Sequence, residues 1–211
     1  MNPLLIRRRG MMQAGGGGLP YDAKIEYLQG DGNQYINTNI VPTNTTGMII
    51  DMLSFVTSDS YACGVRDTTG NTRYCIGQHN QVYYGWGTYS AQTTGTLQLQ
   101  GYKVHAELNL YNSRQFYYSG NNQSETLSSV PSSLGFTPTN KIRVFGSSGV
   151  VFTYTKWVGR IYAFGVTQDS ALVFDGIPVR VGTVGYMYDR VSRQLFGNAG
   201  TGDFILGPDV Q

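Results

Sequence analysis

Apolar and polar residues alternate strictly from Lys103 to Leu110. Val104, Ala106, Leu108 and Leu110 fall on one side of an extended chain; Lys103, His105, Glu107 and Asn109 fall on the other. A half-buried antiparallel strand satisfies that pattern, and a helix does not. No window elsewhere carries apolar residues at helical spacing. Residue supply agrees: glutamate occurs only at Glu26, Glu107 and Glu125, whereas the chain has 28 Gly, 16 Tyr and 9 Phe. Helix formers are scarce, while residues that fill pleated sheets and tight turns abound. The chain is expected to be all-β.

Further short segments follow at regular intervals. Lys24 to Leu28 and Gln34 to Asn37 flank a Gly30-Asp31-Gly32 turn, and Met48 to Val56 reads as a strand buried on both faces. Arg73 to Gln78, Val82 to Trp86, Gln115 to Ser119, Lys141 to Phe145, Gly159 to Thr167 and Ala171 to Val179 continue the series. Val184 to Tyr188 and Gln194 to Phe196 form a last hairpin, and the polar Ser128 to Pro138 reads as loop. Many short strands, Gly/Asn/Ser turns and no repeat period indicate a two-sheet antiparallel sandwich. Residues 21–211 are one domain of ordinary size for such a fold. Residues 1–20 read as a flexible arm, since Gly15 to Gly18 precede Leu19-Pro20.

The net charge of +2 owes three of its 15 basic residues to Arg7, Arg8 and Arg9. Without them the body sits near −1 and has no Lys/Arg cluster to displace counterions, so no nucleic-acid function is expected of the folded domain. No segment approaches a membrane span, and Met11-Met12 is too short for a signal h-region, so neither membrane insertion nor the usual export route is expected. The arm offers an apolar grip in Leu4, Leu5 and Ile6 and a charged one in Arg7, Arg8 and Arg9. It is either a disordered tail or an assembly peptide that orders on a partner.

A hairpin centred on Thr69 would set Cys63 directly across from Cys75, to be bonded or to pack as small apolar residues; free thiols are favoured. No Cys/His ligand cluster is present, so no metal is expected, and calcium has only the scattered Asp59, Asp67 and Asn71. No cofactor is expected, since Gly15 to Gly18 lack a following Gly-Lys-Ser/Thr.

Two stretches carry a resemblance. Glu26-Tyr27-Leu28-Gln29-Gly30-Asp31-Gly32-Asn33-Gln34-Tyr35-Ile36-Asn37-Thr38 resembles the opening of laminin-G-like, concanavalin A-type modules. Gly159-Arg160-Ile161-Tyr162-Ala163-Phe164, Ile177-Pro178-Val179-Arg180, Gly185-Tyr186-Met187-Tyr188-Asp189 and Asn198-Ala199-Gly200-Thr201-Gly202 resemble their closing cassette. The resemblance implies a concanavalin A-like lectin/glucanase jelly roll, of the form seen in bacteriophage virion proteins and gut-bacterial surface proteins. The motifs also make structural sense without a ligand. Gly30 and Gly32 suit turns that need positive φ, and Asp189 suits the turn to Ser192.

Glucanases of this superfamily use Glu-x-Asp-x-x-Glu on one strand face, and none of the three Glu here has that company. Asp51 stands alone in an apolar strand, His79 falls in a turn and His105 on a polar face, and Cys63 with His79 lacks an oxyanion-hole motif. No catalytic residue is assigned. For binding, Asn80, Tyr84, Trp86 and Tyr89 combine amide and aromatic groups suited to a glycan, with a core role for Trp86 as the competing reading; Trp157 is expected in the core. The leading expectation is a non-catalytic structural and recognition module of a phage particle (a fibre, tail or capsid-decoration protein made in the host cytoplasm). Its arm would dock on other virion proteins, its jelly roll would face host glycan, and it would be a homo-oligomer. A carbohydrate-binding module of a bacterial surface protein is the alternative, and a glucanase-like hydrolase the third.

Overall fold

The computed structural model describes residues 18–66, 72–79, 81–87, 89–92, 100–109, 115–127, 137–149 and 156–211, with backbone alone at 79 and 89–92. Among them no helix occurs. The strands are, in chain order, Ala23–Ile25 (β1), Leu28–Asp31 (β2), Ile36–Asn37 (β3), Gly47–Ser54 (β4), Ser60–Arg66 (β5), Arg73–His79 (β6), Gln81–Gly87 (β7), Tyr89–Gln92 (β8) and Lys103–Asn109 (β9). Gln115–Gly120 (β10), Gln123–Leu127 (β11), Arg143–Val144 (β12), Val158–Gln168 (β13), Ala171–Val181 (β14), Val184–Asp189 (β15), Gln194–Gly197 (β16), Ile205–Leu206 (β17) and Asp209–Val210 (β18) follow.

They form two antiparallel sheets packed as a sandwich. The larger runs β11-β10-β9-β4-β13-β14-β1-β18, with β2, β15, β16 and β17 attached along it. The smaller runs β3-β12-β5-β6-β7-β8. Inward side chains of the two sheets interdigitate. The Tyr84 and Phe116 rings lie 4.6 Å apart across the layers. Cys63 Sγ reaches Met48 Sδ at 3.8 Å. The Tyr74 hydroxyl donates to the Thr46 carbonyl, 2.9 Å away. Truncating an aromatic buried this completely costs about 3–5 kcal/mol.

The alternation of β9 is as its sequence requires: Val104, Ala106 and Leu108 are fully buried, while Lys103 and Asn109 are exposed and His105 and Glu107 half-buried. Two expectations need correction. Strand β4 is not buried on both faces. Ile49 and Asp51 are half-buried between the buried Met48, Ile50 and Met52, because the outer face of the larger sheet is only partly covered. Nor does Cys63 face Cys75. An irregularity between Tyr61 and Cys63 pairs Cys63 with Ile76 and Gly64 with Cys75. One residue of register reverses every side chain, so Cys63 enters the main core and Cys75 packs with Tyr61 and Tyr83 on the other face of the smaller sheet. Both thiols are free and buried. Burial pushes both up, Cys75 to about 12, leaving neither a nucleophile near neutral pH.

The arm residues Leu4, Leu5, Ile6, Arg7, Arg8 and Arg9 lie outside the described residues, as does the stretch 128–136.

Candidate functional site

The opening and closing motifs, more than 160 residues apart in sequence, are joined side by side. Each supplies its own turn before they meet. In the first, Asp31 Oδ1 accepts the Asn33 N–H (3.0 Å) and Gln34 Oε1 accepts the Asp31 N–H (2.9 Å). Gly32 there takes φ +95°, a conformation open to glycine. Gly30 does not need positive φ; it is small because a Cβ would press on the Phe145 ring at 3.0 Å.

In the second motif, Asn198 Oδ1 accepts both the Gly200 N–H (2.8 Å) and the Tyr35 N–H (3.1 Å), while its Nδ2 donates to the Gly202 carbonyl (2.7 Å). Ala199 and Thr201 N–H groups donate to the carbonyls of Tyr35 (2.8 Å) and Asn33 (3.0 Å). Gln34 Nε2 closes the seam on the Asp203 carbonyl, 3.2 Å away. Gly200 passes so close to the Asn33 carbonyl oxygen that a Cβ would lie 2.0 Å from it, well inside contact distance.

This seam borders a cavity of about 380 Å³, lined also by Tyr35, Phe145, Arg143 and Lys156. Its volume lies within the roughly 300–1,000 Å³ of small-ligand clefts. Phe145 is 1 % exposed and packs on Phe204 with 4.7 Å between ring centroids. Its backbone is held at φ +65°, a conformation that costs a bulky residue about 1–3 kcal/mol and concentrates at ligand-binding sites. The chain keeps it because the Phe145 N–H bonds Ala62 (2.8 Å) and its carbonyl accepts Trp157 N–H (3.3 Å). Arg143 stacks on Tyr35, its guanidinium carbon 3.9 Å from the ring centroid. Burial lowers the pKa of its guanidinium. Lys156, at the exposed side, reaches Asn33 Oδ1 at 3.4 Å.

A second constellation lies on the outer face of the larger sheet. Pairing of β4 with β9 sets Asp51 opposite His105, so Asp51 is not alone. His105 Nδ1 lies 2.6 Å from Asp51 Oδ1 and Nε2 lies 2.9 Å from Glu107 Oε1. The bond to Asp51, then that to Glu107, outweigh desolvation and push His105 up to about 9. At neutral pH the imidazolium donates to both acids and is no base. Lys103 Nζ adds a contact to Asp51 at 3.9 Å and sits over Tyr162, 4.3 Å from its centroid. Arg160 covers Tyr27 at 4.0 Å and donates to Gln29 Oε1 at 2.9 Å. These side chains clasp neighbouring strands.

No protein-family model matches the sequence, and no curated protein matches it. Solved structures do match by shape. A candidate carbohydrate-binding protein from Bacteroides ovatus superposes with TM-score 0.58 at 12% identity, over 87% of this chain and 60% of that one. The CBM40 module of the Ruminococcus gnavus IT-sialidase, bound to α2,3-sialyllactose, gives 0.51 at 12% identity over 70% and 91%. The extracellular region of zebrafish Gpr126/Adgrg6 gives 0.54 at 12% identity over 86% and 26%. The fold is a concanavalin A-like jelly roll. The chain spans three-fifths of the Bacteroides ovatus protein.

Of the four residues expected for glycan, Asn80, Tyr84, Trp86 and Tyr89, the structure describes the side chains of two. Tyr84 and Trp86 are 0% and 1% exposed. Alternation along β7 turns both inward, Trp86 against Tyr74 at 5.1 Å, so neither ring is open to a sugar. Asn80 and the Tyr89 side chain lie outside the described residues. Trp157 is fully buried. Among the described residues no group of three or more His, Cys, Asp or Glu is placed to hold a metal ion, and no helix is long and apolar enough to cross a membrane. Sequence reasoning passed over Arg143 and Lys156. The available signal was Arg143 itself, a cation between the apolar Ile142 and Val144 of a short strand.

Proposed function

We propose that this jelly roll is a non-catalytic carbohydrate-binding module, and that the cavity at the motif seam is its binding site. The observation that carries this reading is the cavity's lining: the half-buried Tyr35 ring, an exposed amide, a hydroxyl and two cations around a volume suited to a sugar. Sugars are held by such combinations of ring faces and polar groups. The similarity to a candidate carbohydrate-binding protein and to a module with sialyllactose bound supports it. The non-catalytic part rests on the outer-face acids, which are bridged by a protonated imidazole instead of standing as an acid/base pair. A glycan array with the full chain is expected to show saturable binding that Asn33→Ala, an exposed substitution, weakens without changing the melting temperature. Binding unaffected by Asn33→Ala and Thr201→Ala together would move the site elsewhere, and release of reducing sugar from β-glucans would overturn the non-catalytic reading.

A second reading concerns setting. The arm, with Leu4, Leu5 and Ile6 beside Arg7, Arg8 and Arg9, suits docking on a larger assembly such as a phage particle, with a bacterial cell surface as the other setting. Deleting residues 1–18 should then abolish incorporation into particles and leave the jelly roll folded; normal incorporation of the truncated chain would refute the docking role.

A further inference from the structure

Arg143 is a half-buried cation in the lining of the seam cavity. A guanidinium offers five N–H donors in a planar fork. Here Nε donates to Asn37 Oδ1 and Nη1 to the Ser147 carbonyl, both at 3.4 Å. Both acceptors are neutral and both bonds long for a charged donor. Among the described residues no carboxylate pairs with Arg143 or Lys156, and none lines the cavity. Arg180 and Arg190 are instead held by carboxylates, Asp209 at 2.6 Å and Asp175 at 2.8 Å, while Arg160, which also stacks on a tyrosine, has a shorter 2.9 Å bond to Gln29 and lines no such cavity. Among the described residues the cavity thus gathers two cations and no carboxylate, on a floor whose aromatic residue is held in strained backbone.

We propose that the cavity takes a sugar residue bearing an anionic group, a carboxylate or a sulfate ester, with the anion on Arg143 and Lys156 and the sugar hydroxyls on Asn33 and Thr201. This rests on the glycan-binding reading and adds selectivity to it. The free edge of the Arg143 fork supplies paired donors to a planar or tetrahedral oxyanion, and Tyr35, stacked beneath the guanidinium, holds that edge in place. Lys156, on the exposed rim, adds a second charge without needing fixed geometry.

The test is an array of neutral, sialylated, uronate-containing and sulfated glycans probed with the full-length chain, followed by calorimetric titration of sialyllactose, sulfated lactose, lactose and sodium sulfate. Anionic sugars are expected to bind about tenfold or more tighter than their neutral counterparts, and the two charged lactose derivatives tell carboxylate from sulfate. Arg143→Gln should remove the preference. Lys156→Gln, at an exposed position, should reduce it several-fold with an unchanged melting temperature. Equal binding of neutral and anionic sugars would overturn the selectivity and leave the glycan-binding reading standing. Sodium sulfate binding as tightly as the sulfated sugar would overturn it too, by showing an anion site indifferent to sugar. An array without any binder would overturn both readings.

Discussion

The outer face of the larger sheet and the seam cavity both gather charged and aromatic side chains, yet they spend them in opposite ways. On the outer face the acids are answered by cations, Asp51 by His105 and Lys103 and Glu107 by His105, while Arg160 meets the Gln29 amide. At the seam the backbone is tightly bonded, but among the described residues Arg143 and Lys156 meet neutral oxygen acceptors and no carboxylate. A charge matched within its own sheet contributes to folding and has little left to offer a ligand. A half-buried charge held only by long bonds to neutral groups costs the fold and retains its capacity for an anion. Aromatic content, which directed attention to Tyr84 and Trp86, does not separate the two kinds of region; charge compensation does.

Four measurements would break or sharpen that contrast. The largest effect is expected at the seam backbone. Gly200→Ala drives a Cβ into the Asn33 carbonyl and should cost about 3 kcal/mol or more by urea unfolding. Gly101→Ala is a useful control, strained by φ +82° but open around the Cβ, and should cost only about 1 kcal/mol. Next comes Asp51→Ala, which strands His105 and Lys103; a loss of about 1–2 kcal/mol is expected in the same assay. A neutral result would mean the outer-face clasp holds nothing.

The third is pH dependence. His105 is raised from 6.5 to about 9 in the folded chain, so its stabilisation is complete below pH 6.5 and is lost as pH rises through 9. Because the side chain is 35% exposed, solvent screening reduces the expected loss to about 1 kcal/mol. Thermal melts from pH 6 to 10 should show this decline, and His105→Gln should remove it; a variant that retains the slope would place the titrating group elsewhere. The smallest effect is expected for Arg143→Gln. Losing a desolvated, weakly bonded cation should change stability by less than about 0.5 kcal/mol while abolishing anionic-sugar preference. A cost above about 2 kcal/mol would make Arg143 a structural residue and erase the contrast.

Much of the architecture was legible because strand periodicity is local. The β9 alternation, the β15–β16 hairpin and the Asp189 turn follow from a few neighbouring residues. In that turn the Val191 and Ser192 N–H groups do donate to Asp189 carboxylate oxygens, each at 3.1 Å. Strand β5 was legible only as one arm of the hairpin carrying Cys63, while β8 and β11 were passed over because Gly87, Ser90 and the polar run Gln123-Ser124-Glu125 read locally as turn or loop and neighbouring strands supply the ladder. For the site, the two motifs were legible as segments, but their meeting was not. Nothing within either one states that Asn198 will bond Tyr35.

What the sequence by itself determined is therefore the all-β class, the inward face of each clearly alternating strand and the turn chemistry of the two motifs, since each depends on side-chain types a few residues apart. Only the tertiary structure decided that Cys63 and Cys75 face opposite ways, that His105 bridges Asp51 and Glu107, and that Arg143 and Lys156 share a cavity with no carboxylate among its described lining residues. Those outcomes depend on register and on which strands become neighbours. A single added residue in β5 reverses a face, and charge compensation is a property of the assembled sheets.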